Sequence, residues 1–185
     1  MLVHNKRYAV SDAPPPLAGI QRVQSLNILG VTIQDTLSMT KHVDSLVAAA
    51  SQNLYALKTL KAHGLSDIQL NNVCRATLVA RLIYAASAWF GYTTAADKMR
   101  LQAVVNKARK WGLYRKGSPT LDTLVSDADM GLFKKILNDP HHVLHKLLPP
   151  IKSHVHNLRR RSHNRVLPIK NNSLERNFIM RMLYT

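Results

Sequence analysis

The chain has 185 residues, 46% of them apolar, and carries 26 Lys and Arg against 10 Asp and Glu, a formal charge of +16. The apolar share excludes a wholly disordered polymer. A single cysteine, Cys74, excludes an internal disulfide and a multi-cysteine zinc module, and makes a reducing, intracellular compartment the simplest expectation. Only 6% of the residues are aromatic, so a core must come mainly from Leu, Val, Ile and Ala. The longest nearly apolar stretch, Leu82 to Tyr92, falls short of the roughly 20 residues that span a bilayer, so no transmembrane helix is expected. Met1 to Arg7 lacks the apolar segment of a secretory signal.

The first 33 residues have strand character. Leu2 to Val10 is a short candidate, and Pro14 to Pro16 force an extended connector because proline fixes φ and removes a donor. Ile28 to Ile33 is β-branched and predicts a second strand, with Gly30 marking a bulge or a close backbone approach. From Thr40 the period turns helical: Val43, Leu46, Val47, Ala50, Leu54 and Leu57 make a one-sided stripe, and Gly64 is the expected stop. Ser66-Asp67-Ile68-Gln69 is a capping box that opens a helix to about Ala88, with apolar residues (Ile68, Val73, Ala76, Val79, Ala80, Ile83, Tyr84) on nearly every side. Thr94 to Asp97 start a third helix. Its core stripe is Leu101, Val104, Val105 and Ala108, its stop is Gly112, and Lys98, Lys107, Arg109 and Lys110 fall outside the stripe. Shorter helical pieces are expected at Leu121–Val125 and Met130–Leu137, with Asp127 or Asp129 as a cap. Beyond Ile151 the chain is rich in Arg, His and Asn without a period. That predicts an irregular basic tail, docked through Phe178, Ile179, Met182 and Leu183. The fold class is therefore mainly α: an N-terminal β-hairpin, a helical bundle and an extended tail.

The charge is uneven. Residues 1–60 carry 5 basic and 3 acidic groups, residues 61–130 carry 10 and 5, and residues 131–185 carry 11 and 2. Such a field favours polyanions, whereas solubility alone needs a net charge of only about 2–8. Lys107, Arg109, Lys110, Arg115 and Lys116 interleave with Trp111 and Tyr114, and Arg159, Arg160, Arg161 and Arg165 form a second cluster. Cations neutralise phosphates while aromatic faces stack on unpaired bases, so these residues are the candidate nucleic-acid contacts. Enzyme chemistry has less to draw on. His141, His142, His145, His154, His156 and His163 lie without carboxylates or thiols at ligand spacing, and solvated or backbone-bonded imidazoles are the expectation. Cys74 sits mid-helix among apolar residues, where an inert buried thiol is expected. No metal or cofactor is called for by these residues.

Several segments, in order, resemble the region after the catalytic palm in reverse transcriptases of non-LTR retrotransposons, particularly jockey-like elements. They are Leu26 to Ile33 with Leu37-Ser38 and His42-Val43, Leu54 to Leu57, His63 to Leu65, Arg81 to Ala85 with Trp89, Ala95 to Asp97, Arg100 to Gln102, Asn138 to Leu144, and Arg176 to Tyr184. The resemblance implies a primer-grip hairpin in residues 1–36 whose Leu29, Gly30 and Val31 hold the growing end. It further implies a helical thumb over residues 37–117, a short helical connector over 118–150 and a basic tail over 151–185. It implies a template–primer duplex of RNA or DNA as a sequence-tolerant partner, and no membrane. Family members hold two Mg²⁺ on palm aspartates that include a Tyr/Phe-x-Asp-Asp turn, which would organise phosphoryl transfer. No Asp-Asp pair occurs in this sequence. The resemblance thus implies a truncated remnant that binds nucleic acid without polymerising, with a palm portion of a longer polypeptide as a second partner. The alternative reading is a protein-interaction module or a nonfunctional translated relic.

Overall fold

A computed structural model describes Met1, Val3, Pro15 and residues 18–152, 162–169 and 175–185. The candidate strand Leu2 to Val10 and the Pro14 to Pro16 connector therefore fall almost wholly outside the described residues. The fold is mainly α, led by an antiparallel hairpin of β1 (Ser25–Ile28) and β2 (Val31–Gln34). Leu26 pairs with Ile33 and Ile28 with Val31. The expected strand Ile28 to Ile33 is corrected: Leu29 (φ 48°) and Gly30 (φ 85°) are the two corners of the turn, not a bulge. Two consecutive positive φ angles match the right-handed twist of the flanking strands. The Gly30 N–H donates to Asn27 Oδ1 at 3.0 Å, closing the turn. Leu29, unlike glycine, holds its left-handed conformation at a cost of about 1–2 kcal/mol.

Helix α1 (Thr40–Ala62) buries His42, Val43, Leu46, Ala50, Leu54 and Leu57, the expected stripe with His42 added at its start and Val47 only half-buried. It stops as the sequence predicts. Gly64 takes φ 88°, its N–H reaches Lys61 O, and Leu65 N–H reaches Leu60 O, the paired bonds of a glycine-ended helix. The Ser66–Gln69 capping box then opens α2 (Asp67–Cys74).

The helix expected from there to Ala88 is not regular. It passes through a π-helical turn at Arg75–Val79 into α3 (Ala80–Ile83), breaks at Tyr84–Ala85, and resumes as α4 (Ala86–Trp89) and a 3₁₀ turn at Phe90–Tyr92. Ala85 carries φ 50°, and Tyr84 O, freed by the break, accepts from Trp89 Nε1 at 3.0 Å. The all-round apolar surface is also corrected. One side, Leu70, Cys74, Leu78 and Leu82, is fully buried, while Ile68 and Tyr84 are 77% and 57% exposed. By length and composition alone the helical run Asp67–Tyr92 is long and apolar enough to cross a membrane, against the expectation that no stretch is. The break at Tyr84–Ala85 and the packed Leu70 side are features of a helix folded against its own chain.

Helix α5 (Ala95–Lys110) is capped by Thr94 and buries Leu101, Val104, Val105 and Ala108 as expected. It lies against α1, and the contacts at both ends fix the direction. Near the starts, Thr40 Oγ1 donates to Asp97 Oδ2 at 3.1 Å and Arg100 reaches Asp44 at 2.7 Å; near the ends, Lys61 Nζ donates to Trp111 O at 2.8 Å. The two helices therefore run parallel, and the α2–α4 segment is the return that parallel neighbours require.

The described residues fall into two compact units, Met1–Leu121 and Asp122–Thr185. In the second, the two short pieces expected around Asp127 and Asp129 are one helix, α6 (Leu121–Asn138). Asp129 caps nothing: it is a buried position on the stripe that also holds Val125, Phe133 and Ile136, and Arg181 pairs with it at 3.0 Å. Helix α7 (Phe178–Leu183) docks through Phe178, Ile179, Met182 and Leu183 into a cluster with Phe133 and Ile136, as the tail reading expects.

His42 joins hairpin to bundle. Its Nδ1 accepts from Thr32 N–H at 3.4 Å, and its ring meets Trp89 edge-on at 4.9 Å. Its Nε2 is buried with no hydrogen-bond partner among the described residues, and burial lowers its pKa below the ordinary 6.5. Protonation would set an N–H of the ring against the Thr32 N–H. A depressed pKa means that the contribution to stability is complete above about pH 6.5 and is lost as pH falls through the folded value. The urea midpoint should therefore drop between about pH 7 and 5, and His42→Gln, which keeps an acceptor without titrating, should flatten that drop. A variant with the wild-type pH slope contradicts this account of His42.

Candidate nucleic-acid interface

Because α1 and α5 run parallel, their C-terminal ends lie side by side. Each end carries partial negative charge from unpaired carbonyls, and cations there are favourable. The sequence places them accordingly: Lys58 and Lys61 near the end of α1, and Lys107, Arg109 and Lys110 in the last turn of α5. Trp111 is the point where they meet. The Lys107 ammonium stands 4.7 Å and the Lys58 ammonium 5.6 Å from the centre of its ring, and Lys61 holds its carbonyl. Gly112 (φ 68°) ends α5, with Leu113 N–H on Ala108 O and Gly112 N–H on Arg109 O. A Cβ at Gly112 would meet Lys61 Nζ at 2.6 Å, so glycine serves both the turn and the close approach of the lysine.

The chain after Gly112 is tied down on both sides. Arg115 N–H donates to Asn71 Oδ1 at 3.1 Å, and Leu121 N–H donates to Gln102 Oε1 at 2.8 Å. Between them, Arg109 donates to Ser118 O at 2.6 Å, to Pro119 O at 2.7 Å and to Asn106 Oδ1 at 3.3 Å, and lies over the Tyr114 ring. The result is an open groove of about 420 Å³ lined by Arg109, Lys110, Lys116, Gly117 and Ser118. Lys107, Lys110, Arg115 and Lys116 are exposed, and among the described residues Lys58, Lys61, Lys107, Lys110 and Lys116 form no ion pair. Their charge is available to a ligand.

The structure sorts the expected contacts. Lys107, Lys110, Trp111, Arg115 and Lys116 share one end of the first unit. Arg109 is among them in sequence, but its guanidinium is occupied by the 118–119 carbonyls and acts as a clamp. Arg159, Arg160 and Arg161 lie outside the described residues. Arg165 belongs to the second unit, where it donates to Pro149 O at 3.2 Å and contacts His145 Nε2 at 3.4 Å; it is a tie within that unit. Of the hairpin residues, Leu29 is 86% exposed at the tip, Gly30 forms the turn and Val31 is buried. Tyr84 Oη donates to Leu29 O at 3.3 Å, so the break in the α2–α4 segment supports the tip.

Of the described histidines raised as ligands, three bond to backbone and His141 is exposed. His145 Nδ1 meets Ile136 O, His163 Nε2 meets Leu183 O, and His142 Nδ1 accepts from Leu144 N–H. His154 and His156 lie outside the described residues. Cys74 is fully buried and its thiol is pushed up to about 11 by burial. The described residues do not fit a two-Mg²⁺ site. They contain no cluster of three His, Cys, Asp or Glu, and buried Asp97 is held by Thr40, Thr94 and Arg100. Sequence reasoning missed Lys58 and Lys61, whose spacing of three before the Gly64 stop puts them near the end of α1. No family model, curated protein or solved structure matches the chain.

Neighbouring cations of α5 should therefore behave differently. Arg109→Ala removes charged hydrogen bonds to the Ser118 and Pro119 carbonyls and should cost about 1.5–3 kcal/mol in urea denaturation. Exposed Lys110→Ala should stay within about 0.5 kcal/mol of the parent. Equal effects would contradict the clamp.

Proposed function

We propose that this chain binds nucleic acid in a sequence-tolerant way, as the thumb and primer-grip part of a reverse transcriptase of the non-LTR retrotransposon type. The observation that carries the reading is the convergence of Lys58, Lys61 and Lys107 on Trp111, beside a groove lined by Lys110 and Lys116, with no ion pair to any of these lysines among the described residues. A surface of this kind recognises a phosphate backbone and not a base sequence, because ammoniums read charge. The hairpin adds a strained, exposed apolar tip at Leu29 of the sort that persists where a loop makes contacts. Among the described residues no three His, Cys, Asp or Glu side chains cluster, and no catalytic step is assigned. Leu26, Ile28 and Leu29, all exposed on the hairpin, favour a protein-interaction module as the second reading.

The test is a salt titration of binding to a DNA duplex and to an RNA–DNA hybrid of unrelated sequences. Affinity should fall linearly on logarithmic axes. Replacing Lys107, Lys110 and Lys116 by Ala should lower the slope by about 0.9 for each phosphate that is no longer neutralised. Absence of binding at low salt rejects the proposal, and an unchanged slope rejects this surface as its site.

A further inference from the structure

We infer that Trp111 is a stacking platform for one unpaired base, and that Lys107 and Lys58 leave its ring for the flanking phosphates when the base arrives. The inference rests on the nucleic-acid reading above and adds the part of the ligand that this site takes.

The two tryptophans of the chain are built differently. Trp89 is fully buried, its indole N–H is bonded to Tyr84 O, and its neighbours His42 and Phe90 meet it edge-on. It is a core residue. Trp111 is half-buried, and a pair of lysine ammoniums stands over its ring. Its backbone is nevertheless fixed, by the Gly112 turn on one side and the Lys61 bond to its carbonyl on the other. An aromatic residue with a hydrogen-bonded backbone, roofed by exposed lysines, is ready to exchange its partner.

The exchange favours a base. An exposed cation–π contact is weaker than the stacking of a nucleobase on an indole, and an ammonium that leaves the ring gains a phosphate oxygen. Lys107 and Lys58 remain tethered to α5 and α1, so both stay within reach of the backbone of the stacked nucleotide. The groove walled by Lys110 and Lys116 supplies cations for the adjoining stretch of that backbone. A base inside a duplex is stacked on both sides and offers no free face. What the Trp111 ring takes is therefore an unpaired base, from a single strand or from the overhang of a duplex held by the lysines.

The experiment follows the tryptophan emission of the full chain titrated with an oligothymidylate of about 12 nucleotides, a blunt duplex and heparin, with the Trp111→Leu signal subtracted. The oligothymidylate should quench Trp111. Heparin, which has charge but no bases, should bind and leave the emission unquenched, and the blunt duplex should quench little. Trp111→Leu should weaken oligothymidylate binding by about 5- to 150-fold with heparin affinity unchanged, and Trp111→Phe should restore most of the affinity. Quenching by heparin or by the blunt duplex equal to that by the oligothymidylate overturns the platform, as does full oligothymidylate affinity in Trp111→Leu. In those outcomes the nucleic-acid reading stands on the lysines alone. Binding of heparin but of no oligonucleotide overturns both.

Discussion

Asp97 accepts from Thr40 where α1 and α5 begin, and Lys61 donates to the Trp111 carbonyl where they end. These two contacts, with the Leu101, Val105 and Ala108 row packed in the core, hold the helices parallel. Parallel neighbours set like ends of their macrodipoles side by side, which is unfavourable unless charges of opposite sign gather at each end. The chain supplies both sets. Asp97 lies in the first turn of α5, while Lys58, Lys61, Lys107 and Lys110 stand at the other end. The exposed Asp44–Arg100 pair adds little stability by itself, since surface ion pairs are worth about 0–1 kcal/mol. Buried Asp97 with its two threonine hydroxyls is the stronger tie.

The same constraint explains where the usable charge sits. By count the basic excess is greatest in residues 131–185. Yet Arg165 and Arg181 in that part hold their own unit together, through Pro149 O and Asp129 respectively. In the first unit the excess becomes a coherent surface because two helix ends converge on it. Even there one cation of the run is structural: Arg109 clamps Ser118 and Pro119, and that clamp shapes the groove beside Lys110 and Lys116.

Much of the fold was legible because its signals are local. The stripe of α1, the Ser66–Gln69 box, the Thr94 cap and the Gly64 and Gly112 stops are each determined within a few residues. What was not legible depends on distant partners. Arg81 to Ala88 contains no glycine or proline to announce a break, and the break is stabilised by Trp89 taking the freed Tyr84 carbonyl. Asp129 looks like a cap until Arg181, 52 positions later, is seen to neutralise it within a continuous helix. Lys58 joins Trp111 only because α1 and α5 lie parallel, which no periodicity within either helix reveals. The hairpin was split between two signals. Its β-branched composition suggested one strand, whereas the turn at Leu29–Gly30 uses a leucine where asparagine is the usual companion of glycine.

The central claim is that parallel packing of α1 and α5 creates the lysine surface. It is tested most directly by treating the folded chain with a short amine-reactive cross-linker and identifying the linked peptides by mass spectrometry. Lys58 and Lys107, whose ammoniums both stand over the Trp111 ring, should be a dominant linked pair. Linkage of Lys58 or Lys61 to Lys98, at the beginning of α5, in place of Lys107 would make the helices antiparallel and would contradict the account.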